Sequence, residues 1–293
     1  MGTTQAKSLI IVRWLVVGAN GMLGQDFISE LRFQNLKIIE KAKFDIASID
    51  EVRSNIQEVD VVVNCAAYTA VDDAESNQEL AFRINAVGPK NLAIVCREIN
   101  AKLIQFATDY VFSGDSDHPH DENENPYPKS VYGRSKLAGE QEVREILPDN
   151  HYIIRTAWLY GKHGKHFGKT ILNLAKTKNL LNVVNDQIGQ PTWTKDLAKK
   201  SIEIVTNLAP TGIYHGTSSG QTSWFEYAQS IFELAGLDKS RIEPVLSSAY
   251  PRPASRPHFS VLGHKAFELS GLAPIRHWRD ALQESFKNGV FSD

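Results

Sequence analysis

The chain has 293 residues, enough for one large domain or for a nucleotide-binding domain with a smaller lobe. Hydrophobic residues make up 42%, charged residues 23%, and the net charge is −2, so nothing in the composition marks a nucleic-acid or anionic-membrane partner. No apolar run is long enough to span a bilayer. Cys65 and Cys96 sit in apolar stretches outside any C-x-x-C pair. They read as buried thiols of a reducing compartment, and the protein as cytoplasmic.

In chain order, residues 1–8 read as a disordered leader. The apolar stretch that follows is broken by Arg13 and lacks a small-residue cleavage site, and Ala6 stands where N-myristoylation wants Ser or Thr. Residues 14–18 read as a buried strand, 22–31 as an amphipathic helix, and 36–40 and 60–64 as further strands. Ile84, Val87, Leu92, Val95 and Ile99 recur at helical spacing, and 103–107 is another apolar run. Apolar strands alternating with amphipathic helices predict β-α-β units and an α/β, Rossmann-type, doubly wound parallel sheet. Residues 113–130 are polar and turn-rich and read as a solvated surface loop. His118 and His120 lie in it, but no paired-ligand spacing recurs elsewhere, so no metal site is expected. The second half mixes helices with short strands at 152–155, 182–184 and 212–215. Residues 244–257 hold four prolines and are expected to run extended across the surface. This suggests a dinucleotide-binding domain of 13–158 plus 183–213 and a smaller substrate lobe of 159–182 plus 214–293.

Gly18, Gly21 and Gly24 stand three apart between the first strand and the first helix, with Asn20, Met22 and Leu23 in the same turn. The first glycine permits a tight turn, the second lets backbone approach a pyrophosphate, and the third lets helix pack on strand. The helix start adds free N–H groups and a partial positive charge. Gly168-Lys169-Thr170 resembles a triphosphate loop only superficially, because His163 stands where that loop needs glycine.

Tyr132 and Lys136 are four residues apart and share one face of an expected helix. A tyrosine is a poor acid at neutral pH, and a nearby ammonium is expected to lower its pKa and tune it as a proton donor.

Several motifs together carry a family resemblance. They are the glycine loop, Asn64-Cys65-Ala66-Ala67-Tyr68-Thr69-Ala70-Val71-Asp72, Thr108-Asp109-Tyr110-Val111-Phe112, and Tyr132 through Glu140. Arg155 through Tyr160, Asn185 through Thr192, Ala249 through Pro253 and Arg256-Pro257 continue it. From about Arg13 onward the chain resembles the dTDP-4-dehydrorhamnose reductases of the extended short-chain dehydrogenase/reductase group. The resemblance implies NAD(P)H-dependent reduction of the C4 keto group of dTDP-4-dehydro-6-deoxy-L-mannose to dTDP-L-rhamnose. It implies Tyr132 as proton donor, Lys136 as its partner and ribose ligand, and Thr108 as hydrogen-bond partner of the keto oxygen. It places Met22, Leu23, Asp45, Ile46, Ala66, Ala67, Tyr68 and Thr69 against the cofactor, beside Gly18, Asn20, Gly21 and Gly24. It places Val71, Asp109 and Trp158 against the sugar nucleotide. Arg256 suits its diphosphate, and Asp45 suits the adenine amino group.

Cofactor choice stays open between NADPH and NADH. Glu40 favours a ribose diol, whereas Lys41 and Lys43 favour a 2′-phosphate. The family pattern is broken at Ala107, where Ser is common, and at Phe259 through His264. Some relatives pair through a metal held by acids. No acids here are assignable to that role, so a homodimer is a candidate assembly and no metal is expected. Two other readings share the fold. One is an epimerase or dehydratase of another nucleotide sugar, although Tyr110 rather than an acid follows Asp109. The other is a non-catalytic regulatory subunit of the methionine adenosyltransferase type, although Thr108, Tyr132 and Lys136 are all present.

Overall fold

A computed structural model describes residues 12–39 and 43–292. The expected leader at 1–8 lies outside the described residues, as do Glu40 and Lys41. Strand β1 (Arg13–Val17) alternates its side chains between two apolar layers, with Trp14 and Val16 on one face and Leu15 and Val17 on the other. Helix α1 (Met22–Phe33) sets Phe27 and Leu31, four residues apart, into the first layer. Strand β2 (Lys37–Ile38) is shorter than the sequence predicts. Helix α2 (Ile49–Asn55) is capped by Ser48 and sends Val52 into the second layer.

After β3 (Val61–Asn64) come α3 (Val71–Ala74), α4 (Gln78–Phe82), a π turn at Arg83–Val87, and α5 (Gly88–Glu98). The apolar spacing predicts one uninterrupted helix through Ile84–Ile99, and Pro89 explains the break. Having no N–H, it cannot donate to the Asn85 carbonyl four residues back, and the chain widens into a π turn. Strand β4 (Lys102–Thr108), helix α6 (Val131–Ile146) and strand β5 (His151–Thr156) follow. Ser130 caps α6 by accepting the Gly133 N–H at 3.1 Å.

Beyond β5 the elements are short. They are β6 (Leu159–Tyr160), α7 (Phe167–Ala175), β7 (Leu181–Val184), β8 (Ile188–Gly189), β9 (Thr192–Trp193), α8 (Thr194–Thr206) and β10 (Gly212–His215). Then come β11 (Ser218–Ser219), β12 (Thr222–Ser223), α9 (Trp224–Leu234), β13 (Ile242–Val245), α10 (Lys265–Leu269), β14 (Ile275–His277) and α11 (Trp278–Lys287). The main sheet has six strands in the order β10-β5-β4-β3-β1-β2, every neighbouring pair parallel. Helices α1 and α8 cover one face through Phe27, Leu31, Leu197 and Ile202. Helices α2, α5 and α6 cover the other through Val52, Leu92, Val95 and Val143. Each such fully buried side chain contributes roughly 1.5–3 kcal/mol. Strand order reverses between β1 and β3, and the crevice at the carboxyl ends of such strands is where α/β sheets bind ligands.

The second half adds a smaller layer in which α7 and α9 cover the parallel pair β7 and β13. Of residues 183–213, α8 and the start of β10 join the main sheet's layers, whereas β7 and β8 pair with β13 and β12. The stretch 113–130 is not wholly the solvated loop its composition predicts. His120 is 2% exposed and its ring stacks on Phe112 at 4.2 Å, while its backbone N–H donates to the Val261 carbonyl at 2.8 Å. Glu122 is also buried and accepts the Ala266 N–H at 3.1 Å. No described helix is long and apolar enough to cross a membrane.

Candidate active site

The glycine loop follows β1. Gly18 adopts φ +74°, and a Cβ there would lie 2.6 Å from the Ala66 nitrogen. Only glycine lets the β1 and β3 ends approach this closely. A Cβ on Gly24 would run into the Gly18 carbonyl and lie 2.8 Å from the Ala19 Cα, so the third glycine is needed for packing. Gly21 has more room, and it is the N-cap of α1 with no side-chain cap and no acid in the first turn. The N–H groups of Met22 and Leu23 therefore begin a helix whose positive end is left for an anion. Asn20 is exposed in the same turn, and its carbonyl accepts from Gln25 at 3.0 Å.

The β3 end supplies Ala66, Ala67, Tyr68 and Thr69. Asn64 holds the Ala66 N–H at 3.1 Å and donates to the buried Gln105 at 2.8 Å. Tyr68 is fastened through its backbone. Its N–H donates to Asn85 Oδ1 at 2.8 Å, and its carbonyl accepts from Asn85 Nδ2 at 3.0 Å. The same amide donates to Ser135 on α6 at 3.0 Å. Asn85 sits in the π turn and is 1% exposed. Sequence reading misses it, although Gly88-Pro89 is a local signal that the helix must break there. Ile46 is buried against α5, its carbonyl accepting from Asn91 at 3.0 Å. Asp45 pairs with Arg83, and its Oδ1 accepts the Ala47 N–H at 2.9 Å.

The structure brings Tyr132 into hydrogen-bond contact with Thr108, and sets Lys136 one turn along α6 from Tyr132. Thr108 ends β4, and its hydroxyl donates to Asp109 Oδ1 at 2.9 Å and accepts the Tyr110 N–H at 3.2 Å. Lys136 Nζ donates to the Phe106 carbonyl at 2.6 Å. The expected direction of the tyrosine pKa is not met. Burial pushes the Tyr132 phenol up to about 12, and a hydrogen bond with Thr108 offsets only part of that. Burial also draws Lys136 down to about 8, against the pull of Glu140 one turn along. Glu140 is itself gripped by Arg155, Nε to Oε1 at 3.0 Å and Nη2 to Oε2 at 2.7 Å, with both side chains 1% exposed. Burial raises Asp109 to about 6, a shift held back by the Ser260 and Thr108 hydroxyls.

Beside this group lies a cavity of about 660 Å³ lined by Tyr110, Trp158, Trp224, Arg252, Arg256 and Ser260 among others. Trp158 has φ +46°, a left-handed conformation costing a bulky residue about 1–3 kcal/mol. Its indole stacks on Trp224 with ring centroids 3.5 Å apart and planes 11° apart. Trp224 and Arg252 are further residues that sequence reading left without a role. Val71 begins α3, next to Asp72, whose carboxylate binds Arg256. Among the described residues no group of three or more His, Cys, Asp or Glu is placed to hold a metal ion.

The RmlD substrate binding domain family model matches residues 12–290. A dTDP-4-dehydrorhamnose reductase of Streptomyces griseus is 45% identical over 282 residues, covering 94% of this chain and 93% of its own. A dTDP-4-keto-6-deoxy-D-glucose reductase of Streptomyces niveus is 42% identical over 278 residues, covering 94% of this chain and 96% of its own. The crystal structure of dTDP-4-dehydrorhamnose reductase from Bacillus anthracis in complex with NADP matches with a TM-score of 0.89 and 38% identity, covering 94% of this chain and 99% of that one. The glycine loop, the Thr108–Tyr132–Lys136 group and these likenesses agree, and the chain belongs to the RmlD substrate binding domain family, that of the dTDP-4-dehydrorhamnose reductases.

Proposed function

We propose that this protein catalyses NADPH-dependent reduction of the C4 keto group of dTDP-4-dehydro-6-deoxy-L-mannose to give dTDP-L-rhamnose. The observation that supports this reading is Tyr132 hydrogen-bonded to Thr108, with Lys136 one turn along α6, and in ring contact with Tyr110, which lines a cavity of about 660 Å³. The glycine loop fits a dinucleotide: its packing excludes a Cβ at Gly18 and Gly24, while the α1 end offers free N–H groups. Held there, the cofactor supplies hydride to the carbonyl carbon. Tyr132 carries the proton that the developing oxyanion needs, and a phenol held at about 12 stays protonated at neutral pH. Thr108 orients the oxygen, and Lys136, anchored on the Phe106 carbonyl, holds the ribose.

NADPH is favoured because the Bacillus anthracis relative carries NADP, with NADH as the alternative. In this reading residues 13–158 plus 183–213 hold the cofactor, and 159–182 plus 214–293 hold the sugar nucleotide. The free thiols of Cys65 and Cys96 support a reducing, cytoplasmic setting. A homodimer accompanies the proposal on family resemblance, and sedimentation equilibrium tests it.

The functional test is loss of reduced-nicotinamide absorbance with the dTDP-linked 4-keto sugar, each cofactor offered separately. dTDP-4-keto-6-deoxy-D-glucose is run alongside because of the Streptomyces niveus relative. Substrate-dependent, stoichiometric oxidation of NADPH is the expected result. Sugar conversion without net cofactor consumption points to an epimerase, and no conversion despite cofactor binding overturns the reading.

A further inference from the structure

Asp72 stands in α3, while Arg252 and Arg256 lie in the irregular segment between β13 and α10. The Asp72 carboxylate grips Arg256 end-on, Oδ1 accepting from Nη1 and Oδ2 from Nη2, both at 2.8 Å. It also accepts the Ala254 N–H at 3.3 Å, and Arg252 Nη1 stands 3.8 Å from Oδ2. A second Nη1 proton of Arg256 goes to the Ala254 carbonyl at 3.1 Å.

A guanidinium carries five N–H donors in a planar fork. Three are used in these bonds. The Nε–H and the remaining Nη2–H lie together on the side edge and make no hydrogen bond among the described residues. Such an edge matches two oxygens of one phosphate. Arg252 and Arg256 both line the cavity, and two cations against one carboxylate leave positive charge there. Asp72 contributes nothing to that charge and in fact opposes an anion. Its contribution is geometrical.

We infer that Asp72 is a positioning residue for the diphosphate of the sugar nucleotide, holding the Nη1/Nη2 end of Arg256 so that the Nε/Nη2 edge, with Arg252 beside it, serves the cavity. This rests on the reading of the substrate as a nucleotide-diphosphate sugar. Geometry and charge then make opposite demands on one variant. Removing the negative charge in Asp72→Asn strengthens anion binding if charge alone matters, and weakens it if the carboxylate sets the fork.

The experiment is calorimetric titration of dTDP into the wild type, Asp72→Asn, Asp72→Glu, Arg256→Lys and the Asp72→Asn/Arg256→Lys double variant, with steady-state reduction of the keto sugar in parallel. Asp72→Asn is expected to weaken dTDP about tenfold and raise KM about as much, with kcat within about twofold and NADPH affinity unchanged. Asp72→Glu keeps the charge but moves the carboxylate by one methylene, and is expected to weaken dTDP as well. Arg256→Lys keeps the cation but loses the fork, and adding Asp72→Asn to it should cost nothing more. Equal or tighter dTDP binding by Asp72→Asn, wild-type binding by Asp72→Glu, or losses that add in the double variant would each overturn the inference while leaving the reductase reading intact. Failure of the wild type to bind dTDP overturns the substrate reading itself, and the inference with it.

Discussion

Gly189 ends β8 against the indole of Trp158, and replacing it by alanine tests whether that indole is a working wall of the cavity. A Cβ at Gly189 would lie 2.6 Å from Trp158 Cε2, 2.7 Å from Cζ2 and 2.9 Å from Nε1. Carbon contacts settle near about 3.5–4.0 Å, so the indole must move by roughly 1 Å. Trp224 occupies one of its faces at 3.5 Å, and its backbone is already held at φ +46°. Overpacking of this kind costs about 1–3 kcal/mol in stability. A displacement of about 1 Å in a group that positions substrate costs up to ~10²-fold in rate. Gly189→Ala is therefore expected to lower kcat/KM for the keto sugar by ~10- to 10²-fold while NADPH affinity stays at the wild-type value. Steady-state kinetics read the loss, and near-ultraviolet circular dichroism reports the broken indole stack. A variant whose dichroism has changed but whose kcat/KM stays within about threefold of wild type refutes the role of Trp158 in holding the sugar.

If Tyr132 is the proton donor, Tyr132→Phe is expected to lower kcat by at least ~10²-fold with NADPH binding retained, as read by turnover and by cofactor titration. Because burial sets Lys136 at about 8 and Tyr132 at about 12, the ammonium loses its proton first as pH rises. The kcat/KM profile is expected to fall above pH about 8, and a profile flat well beyond that value contradicts the assignment. Arg155→Met leaves Glu140 buried at 1% exposure without its partner, at an expected cost of about 3–5 kcal/mol in denaturant unfolding. Replacing both residues by Glu140→Leu and Arg155→Met should recover most of that loss, and an equal or larger loss in the double variant argues against an uncompensated charge as the cause.

Local pattern made the first half of the chain legible. The glycine spacing and the Tyr132/Lys136 pair each depend on residues within one turn or one helix, where chain geometry is short-range and periodic. The edge strand β10 likewise spans the residues its apolar pattern marks out, Gly212–His215. The Asp72–Arg256 bond joins residues 184 positions apart, and the Trp158–Trp224 stack likewise joins residues far apart in the chain; neither has a period to read. Composition misjudged His120 and Glu122 because what buries them, Val261 through Ala266, arrives from the far end of the chain. Spacing alone predicts that Lys136 lowers the tyrosine pKa. It cannot weigh the burial that dominates both groups, because burial depends on the whole fold.

The sheet order also bears on how the chain is made. Strand β5 is buried along all six of its residues, yet its outer neighbour β10 ends only at His215. During synthesis from the N-terminus, β6 through α8 emerge in the interval, so the outer edge of β5 has no partner until β10 is made. Such edges invite mispairing between chains. Late closure over a long sequence separation also slows folding. Residues 212–215 must therefore emerge before the outer edge of the six-stranded sheet can be covered along β5.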